Sequence, residues 1–310
     1  MVYNSEQIEL QLRRPPHGFL RRLLTKGKVF FFSQPNSTIS TSLASKTKPS
    51  EMKRYDESKI FWDEHSLKNE SFSGFSQLYF FIAAFAKMVL MFFLPIFYGF
   101  FIIALIFGSG TWKDGEEFFY GLTYYVTIPC FIIYIHFKLV NKGYLFLAPF
   151  IKGKRVYDLN RHTGSVTLFK KGNKERFSHP FIEFDCVLMS APSPQGHLNY
   201  NLMLVHRYND YSVGVPISNL IGTNETVAEY HRLWNMIQCY MDVSQPLPDI
   251  LILEPARHKD PVTADYDRKT GRNPRYWRDM SDEEYQRTMD EIAAKQQSQP
   301  TTGPKLNIFQ

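Results

Sequence analysis

Two apolar runs, ten residues apart, limit this chain more than any other feature. Residues 78–107 read LYFFIAAFAKMVLMFFLPIFYGFFIIALIF, with Lys87 as the only charge. Residues 88–107 carry no charge at all, and at about 1.5 Å per helical residue they cover about 30 Å of hydrocarbon. Residues 118–139 read FFYGLTYYVTIPCFIIYIHFKL and are uncharged until Lys138. Neither run has the polar face that a helix on a soluble core needs. The pattern predicts a transmembrane helical hairpin over 78–139. Residues 108–117 form its turn, and Pro95 and Gly99 are tolerated kink points. The competing reading is a pair of helices buried in a large soluble core.

Flanking charge gives an orientation. Residues 1–70 hold 12 Lys/Arg, the turn holds only Lys113, and residues 138–176 hold 10 Lys/Arg against Asp158 and Glu175. An excess of Lys/Arg marks the cytoplasmic side, so the protein is expected to be multi-pass with both termini in the cytoplasm. Lys138, Lys142, Lys152, Lys154 and Arg155 form a juxtamembrane basic cluster expected to face anionic lipid, although a plain topology determinant explains it as well. His136 and Lys87 lie where a side chain can reach the interface, so neither is assigned a transport role.

After residue 144 the period becomes that of strands. Residues 154–159, 165–170, 175–177, 181–190, 200–206 and 211–217 read as six short strands joined by hairpins. Asn160, Arg161 and Gly164 belong to the first hairpin turn, where Asn and Gly supply positions tolerant of the left-handed region. Residues 225–242 read as one amphipathic helix, capped by Thr223 or Asn224, with Val227, Tyr230, Leu233, Trp234, Ile237 and Met241 at helical spacing. The expected fold of 144–245 is α+β: an antiparallel β barrel or sheet closed by a C-terminal amphipathic helix, as in pleckstrin-homology (PH)-like domains. A split-barrel sheet would read nearly the same. Residues 177–245 hold 2 basic and 6 acidic side chains. Glu183, Asp185 and Asp210 on this side are therefore expected to face a protein partner.

The ends read as polar. Residues 1–77 form a polar and basic region in which 18–32 has the mix of an amphipathic surface segment, 33–50 that of a linker, and 55–63 that of an element packing on the soluble domain. Residues 246–310 read as a polar tail with a short helix over 281–295, opened by a Ser281–Glu284 capping box, and disorder beyond it. The Arg-x-Thr-Gly sequence of 161–164 recurs at 268–271, which is better read as chance than as duplication.

Chemistry is sparse. Cys130, Cys186 and Cys239 have no metal-ligand spacing and no disulfide framework. Nine histidines are scattered, and no hydrolase, phosphate-loop or dinucleotide motif is present. The reading is of a non-enzymatic protein without cofactor. Nucleic acid is not an expected partner, because membrane topology already accounts for the basic charge.

Two spans, a basic strand, a (D/N)-R-x-T-G-x-V hairpin (here Asn160 to Val166) and a helix-closed β domain resemble a family of uncharacterised proteobacterial inner-membrane proteins over about residues 75–245. Genes of that family often lie beside type VI secretion effectors. The resemblance implies an immunity or accessory protein that binds a secreted toxin, and it carries over no catalytic residue. The alternative is a membrane-surface scaffold or lipid-sensing module that uses the basic cluster.

Overall fold

The computed structural model describes residues 27–34, 36, 38–52, 61–108, 112–151, 153–192, 198–208, 214–222, 224 and 226–306. In chain order its elements are β1 (Lys28–Phe30), α1 (Thr41–Ala44), α2 (Pro49–Met52), β2 (Ser66–Phe72), α3 (Gly74–Met88), α4 (Leu94–Phe107), α5 (Trp112–Leu122), α6 (Ile128–Asn141), β3 (Gly153–Asn160), β4 (Ser165–Phe169), β5 (Glu175–Pro180), β6 (Phe184–Pro192), β7 (Leu198–His206), β8 (Gly214–Pro216), α7 (Val227–Met241), α8 (Glu254–Arg257), α9 (Pro261–Thr270) and α10 (Asp282–Gln297). They fall into two compact units, Glu70–Lys154 and Met1–Asn69 with Arg155–Gln310.

The first unit is a pair of helices long and apolar enough to cross a membrane, Gly74–Ala104 and Gly115–Asn141. Phe92, Phe100, Phe107, Tyr125 and Ile132 are exposed over more than half their surface, which is the opposite of a buried soluble-core pair. Each helix contains one π-helical turn, Val89–Phe93 before Pro95 and Thr123–Thr127 before Pro129. Proline lacks an N–H and its ring collides with the carbonyl four residues back, so widening the preceding turn relieves both helices in the same way. Between the helices, the Tyr98 hydroxyl lies 3.0 Å from both the Thr123 and Thr127 hydroxyls. The turn is shorter than expected: α4 ends at Phe107 and α5 starts at Trp112. A helix continues past its apolar run wherever its backbone bonds continue, so hydropathy alone misplaces its start.

The second unit is α+β. Its two four-stranded antiparallel sheets run β2-β3-β4-β5 and β1-β6-β7-β8. All six strands expected after residue 144 are present. Tyr157, Leu159 and Val166 of one sheet, Phe184, Cys186, Leu188, Leu202 and Leu204 of the other, and Tyr230, Leu233, Trp234 and Ile237 of α7 share one buried core. Among the described residues no strand pairing joins the two sheets, so a closed barrel is not formed; the 3₁₀ turn Phe181–Glu183 carries the chain from one to the other. The helix is Val227–Met241. Its N-cap Thr226 makes no side-chain cap bond, and its own N–H donates to Asn224 Oδ1 (2.8 Å). Thr223 lies outside the described residues.

Two regions expected to be loose are part of this unit. The described polar stretch within 33–50 is docked on α7 through Glu229, Asn235 and Gln238, part of a buried polar stripe that also holds Arg232, spaced three residues apart. Gln238 Oε1 accepts the Ser33 N–H (2.8 Å), Asn235 Nδ2 donates to the Asn36 carbonyl (2.9 Å), and Glu229 Oε2 accepts from the Ser40 hydroxyl (3.0 Å). Trp62 is fully buried with its ring edge on Tyr240, as expected of the described part of 55–63. The described tail folds back on this unit, and the Leu306 N–H donates to the Phe32 carbonyl. Helix α10 has the expected cap, Ser281 accepting from the Glu284 N–H, and it buries Tyr285 and Met289. Of the 18–32 segment, Lys28–Phe30 is an edge strand paired with Cys186–Leu188, and 1–26 lie outside the described residues. The two Arg-x-Thr-Gly sequences differ in role. Gly164 (φ 63°) closes a hairpin, whereas Gly271 (φ 67°) ends helix α9 in the left-handed cap that glycine favours.

Candidate functional site

Three ligand-bearing side chains converge where the chain passes from one sheet to the other. His179 stands near the end of β5, paired across from Val166 on β4. Pro180 is extended, the 3₁₀ turn follows, and Glu183 is its last residue. The β6–β7 register then sets Phe184 opposite His206, at the end of β7. The His206 Nε2 lies 2.9 Å from Glu183 Oε2, and His179 Nδ1 lies 3.7 Å from the same oxygen. A carboxylate only accepts, so His206 Nε2 carries the proton. The two imidazoles are stacked, with centroids 4.0 Å apart. Phe177 lies beside His179, and Phe184 and Tyr208 beside His206, so aromatic rings wall the cluster. His206 Nδ1 is buried without a hydrogen-bond partner.

Next to this cluster, Asp185 and Arg207 form a buried ion pair. Asp185 is paired with Val205, and Arg207 follows two residues later, just past the end of β7. Its guanidinium donates from Nη2 to Asp185 Oδ1 (2.7 Å) and from Nη1 to the Ile182 carbonyl (3.2 Å). This corrects the expected acidic face. Asp185 is buried and neutralised, Glu183 is half-buried and hydrogen-bonded to His206, and Asp210 lies outside the described residues. The charge count that suggested an outward Asp185 cannot reveal an arginine placed diagonally opposite it.

The hairpin turn also has an unexpected role. Asn160 Oδ1 accepts the Thr163 N–H (2.9 Å), and Gly164 takes the left-handed conformation, as the turn reading requires. Arg161, however, is buried, and its guanidinium donates to the carbonyls of Tyr240, Asp242 (2.9 Å) and Gln245 (2.9 Å). Tyr240 lies in the last turn of α7 and Asp242 is its C-cap, with Gln245 just beyond, so a cation placed there meets helix-end carbonyls and the dipole of α7. Of the basic cluster, Lys138, Lys142 and Arg155 are exposed, Lys154 is half-buried, and Lys152 lies outside the described residues. Arg155 lies over the Phe169 ring.

Within the helical unit, His136 is fully occupied. Its Nε2 lies 3.2 Å from the Leu147 carbonyl, which can only accept, and its Nδ1 lies 2.8 Å from the Tyr79 hydroxyl. The ring therefore pins segment 144–150 back against the helix pair, a positioning role in place of a relay. The cysteines are free, and burial raises Cys186 well above the ordinary thiol range and Cys239 to about 12. Sequence reading left His179 and His206 among nine scattered histidines and did not bring the two together. The His-x₃-Glu spacing of 179–183 was visible, but the strand register that adds His206 was not. Comparison with protein-family models, characterised proteins and solved structures finds no match to this chain.

Proposed function

We propose that this chain is a non-enzymatic, membrane-anchored interaction protein, seated in the bacterial inner membrane by its two helices, with both termini in the cytoplasm. We read the second unit, two antiparallel sheets with α7 in their core, as a PH-like module that presents a surface to a protein partner. The observation that carries the reading is the pairing of lipid-compatible helices with a separate folded unit in which the buried charges named above are tied to internal partners, Arg161 to carbonyls at the end of α7 and Asp185 to Arg207. The partner class follows from the resemblance: a secreted toxin of the type VI system, against which the protein acts as an immunity or accessory factor. The test is genetic. Deleting this gene beside an intact neighbouring toxin gene is expected to poison the cells, with rescue by expression in trans. Full viability of the deletion strain refutes the immunity role.

A second reading, a lipid-sensing scaffold, is favoured by the exposed Lys138 and Lys142. Four residues apart at the end of an apolar helix, they lie on one face. Full-length protein in anionic nanodiscs should melt higher than in zwitterionic ones, and neutralising Lys138, Lys142, Lys154 and Arg155 together should abolish the difference. An unchanged difference removes the basis for lipid sensing.

A further inference from the structure

We propose that His179, Glu183 and His206 form a binding site for a divalent transition-metal ion of the zinc class, clipping the end of β5 to the end of β7. Three observations carry it. First, the donor set is two imidazoles and one carboxylate, the ligand types that suit zinc and its neighbours and not calcium or magnesium. Second, the spacing fits. Metal–ligand bonds of about 2.0–2.2 Å set tetrahedral edges of about 3.3–3.6 Å. Here the donor atoms lie 2.9 and 3.7 Å from Glu183 Oε2, and all within 4.8 Å of one another. Closing the triangle takes a turn of the part-exposed His179 ring out of its stack on His206. Third, the site is walled and yet reachable: the His206 side chain is 5% exposed, whereas Glu183 and His179 are 31% and 37% exposed.

Three protein ligands leave a fourth position to water. Binding is proton-balanced on His206. The ion takes the Nε2 lone pair and the ring proton moves to Nδ1, so the imidazole stays neutral. That Nδ1 has no partner, and a buried unpaired N–H is unfavourable. The affinity is therefore expected to fall short of that of a closed structural zinc site. The location gives the ion a purpose in the fold. No described strand pair joins the two sheets, and His179 belongs to one while His206 belongs to the other. An ion that binds only the folded chain stabilises it in proportion to its occupancy.

The experiment uses full-length protein without a polyhistidine tag, purified in detergent and stripped of metal. Equilibrium dialysis across a Zn²⁺ series should show one saturable site per chain, and Co²⁺ should give a visible tetrahedral d–d spectrum. Thermal unfolding should shift upward with Zn²⁺ and not with Mg²⁺. His179→Ala and Glu183→Gln change partly exposed side chains and should fold. Each should weaken binding roughly 100-fold or more, beyond the 10–100-fold that loss of an outer-shell partner causes, and should cancel the thermal shift. His162→Ala, at the tip of a hairpin, should change neither. Absence of a saturable site overturns the proposal, as does binding that both variants leave intact or that His162→Ala weakens equally.

Discussion

Asp185 separates two accounts of the same residue. As part of an exposed acidic face, its loss would weaken partner binding and leave the fold alone. As the buried partner of Arg207, its loss strands a guanidinium in a site from which water is excluded. Removing one member of a buried pair costs about 3–5 kcal/mol. Asp185→Ala is therefore expected to lower unfolding stability by roughly that amount in denaturant titration of the purified chain, and a change below about 1 kcal/mol would refute its burial role. His231 makes a second prediction at this scale. Its ring stacks on Phe30 with centroids 3.7 Å apart, and burial, aided by the Lys28 charge, lowers its pKa from 6.5 to about 4. Between about pH 6.5 and 4 the unfolded chain binds a proton that the folded chain refuses, so stability falls as pH drops through that window. The melting temperature of the native chain should fall more steeply over this range than that of His231→Phe. Parallel curves would show that His231 does not titrate on unfolding.

At the scale of elements, the legible parts were those with local signals. Strands β3 to β8 follow from turn residues and alternation, and the paired apolar runs gave both long helices. The cap of α10 was written in Ser281 and Glu284. What failed depended on distant partners. Strand β2, SLKNESF, has no alternating apolar face, and it becomes a strand because an edge of the sheet is free to pair with it. Residues 33–50 look like a linker because Ser, Thr and Asn carry no burial signal. Their hydrogen-bonding capacity is met by a polar stripe on α7 nearly 200 residues away. The candidate metal cluster was half legible for the same reason: a spacing of four is local, but a β6–β7 register is not. The tail makes the sharpest prediction here. Leu251, Leu253, Trp277, Tyr285 and Met289 are buried in the unit's core, and full burial of each such side chain is worth about 1.5–3 kcal/mol. Their sum is comparable to the whole net stability of a domain, about 5–15 kcal/mol. Truncation after Gln245 should therefore abolish cooperative unfolding of the second unit and leave it protease-sensitive. A truncated chain that still melts cooperatively would make the tail an appendage.

For the whole molecule, the strongest claim is topological, and folding of the tail changes how it must be tested. A reporter fused after Gln245 removes core residues, so a silent result there would report misfolding as readily as location. The fusion belongs at Gln310, beyond the last described contact at Leu306. The companion insertion belongs at Ser109, between the end of α4 and the start of α5, and not at Asp114, which lies inside α5. The charge distribution decides the expected outcome. Lys113 faces three acids around the turn, whereas 12 and 10 Lys/Arg flank the helix pair on its two outer sides. Juxtamembrane Lys or Arg near an anionic surface contributes about 1 kcal/mol each, so the outer ends should stay cytoplasmic by a wide margin. A reporter active only in the periplasm should be active at Ser109 and silent at Gln310. Exchanging Lys138, Lys142, Lys154 and Arg155 for glutamine should raise the inverted fraction without reversing the protein, because the N-terminal twelve remain. Activity at Gln310 in the unmodified chain would place the folded unit outside the cytoplasm, and the basic cluster would then lose its anionic cytoplasmic leaflet.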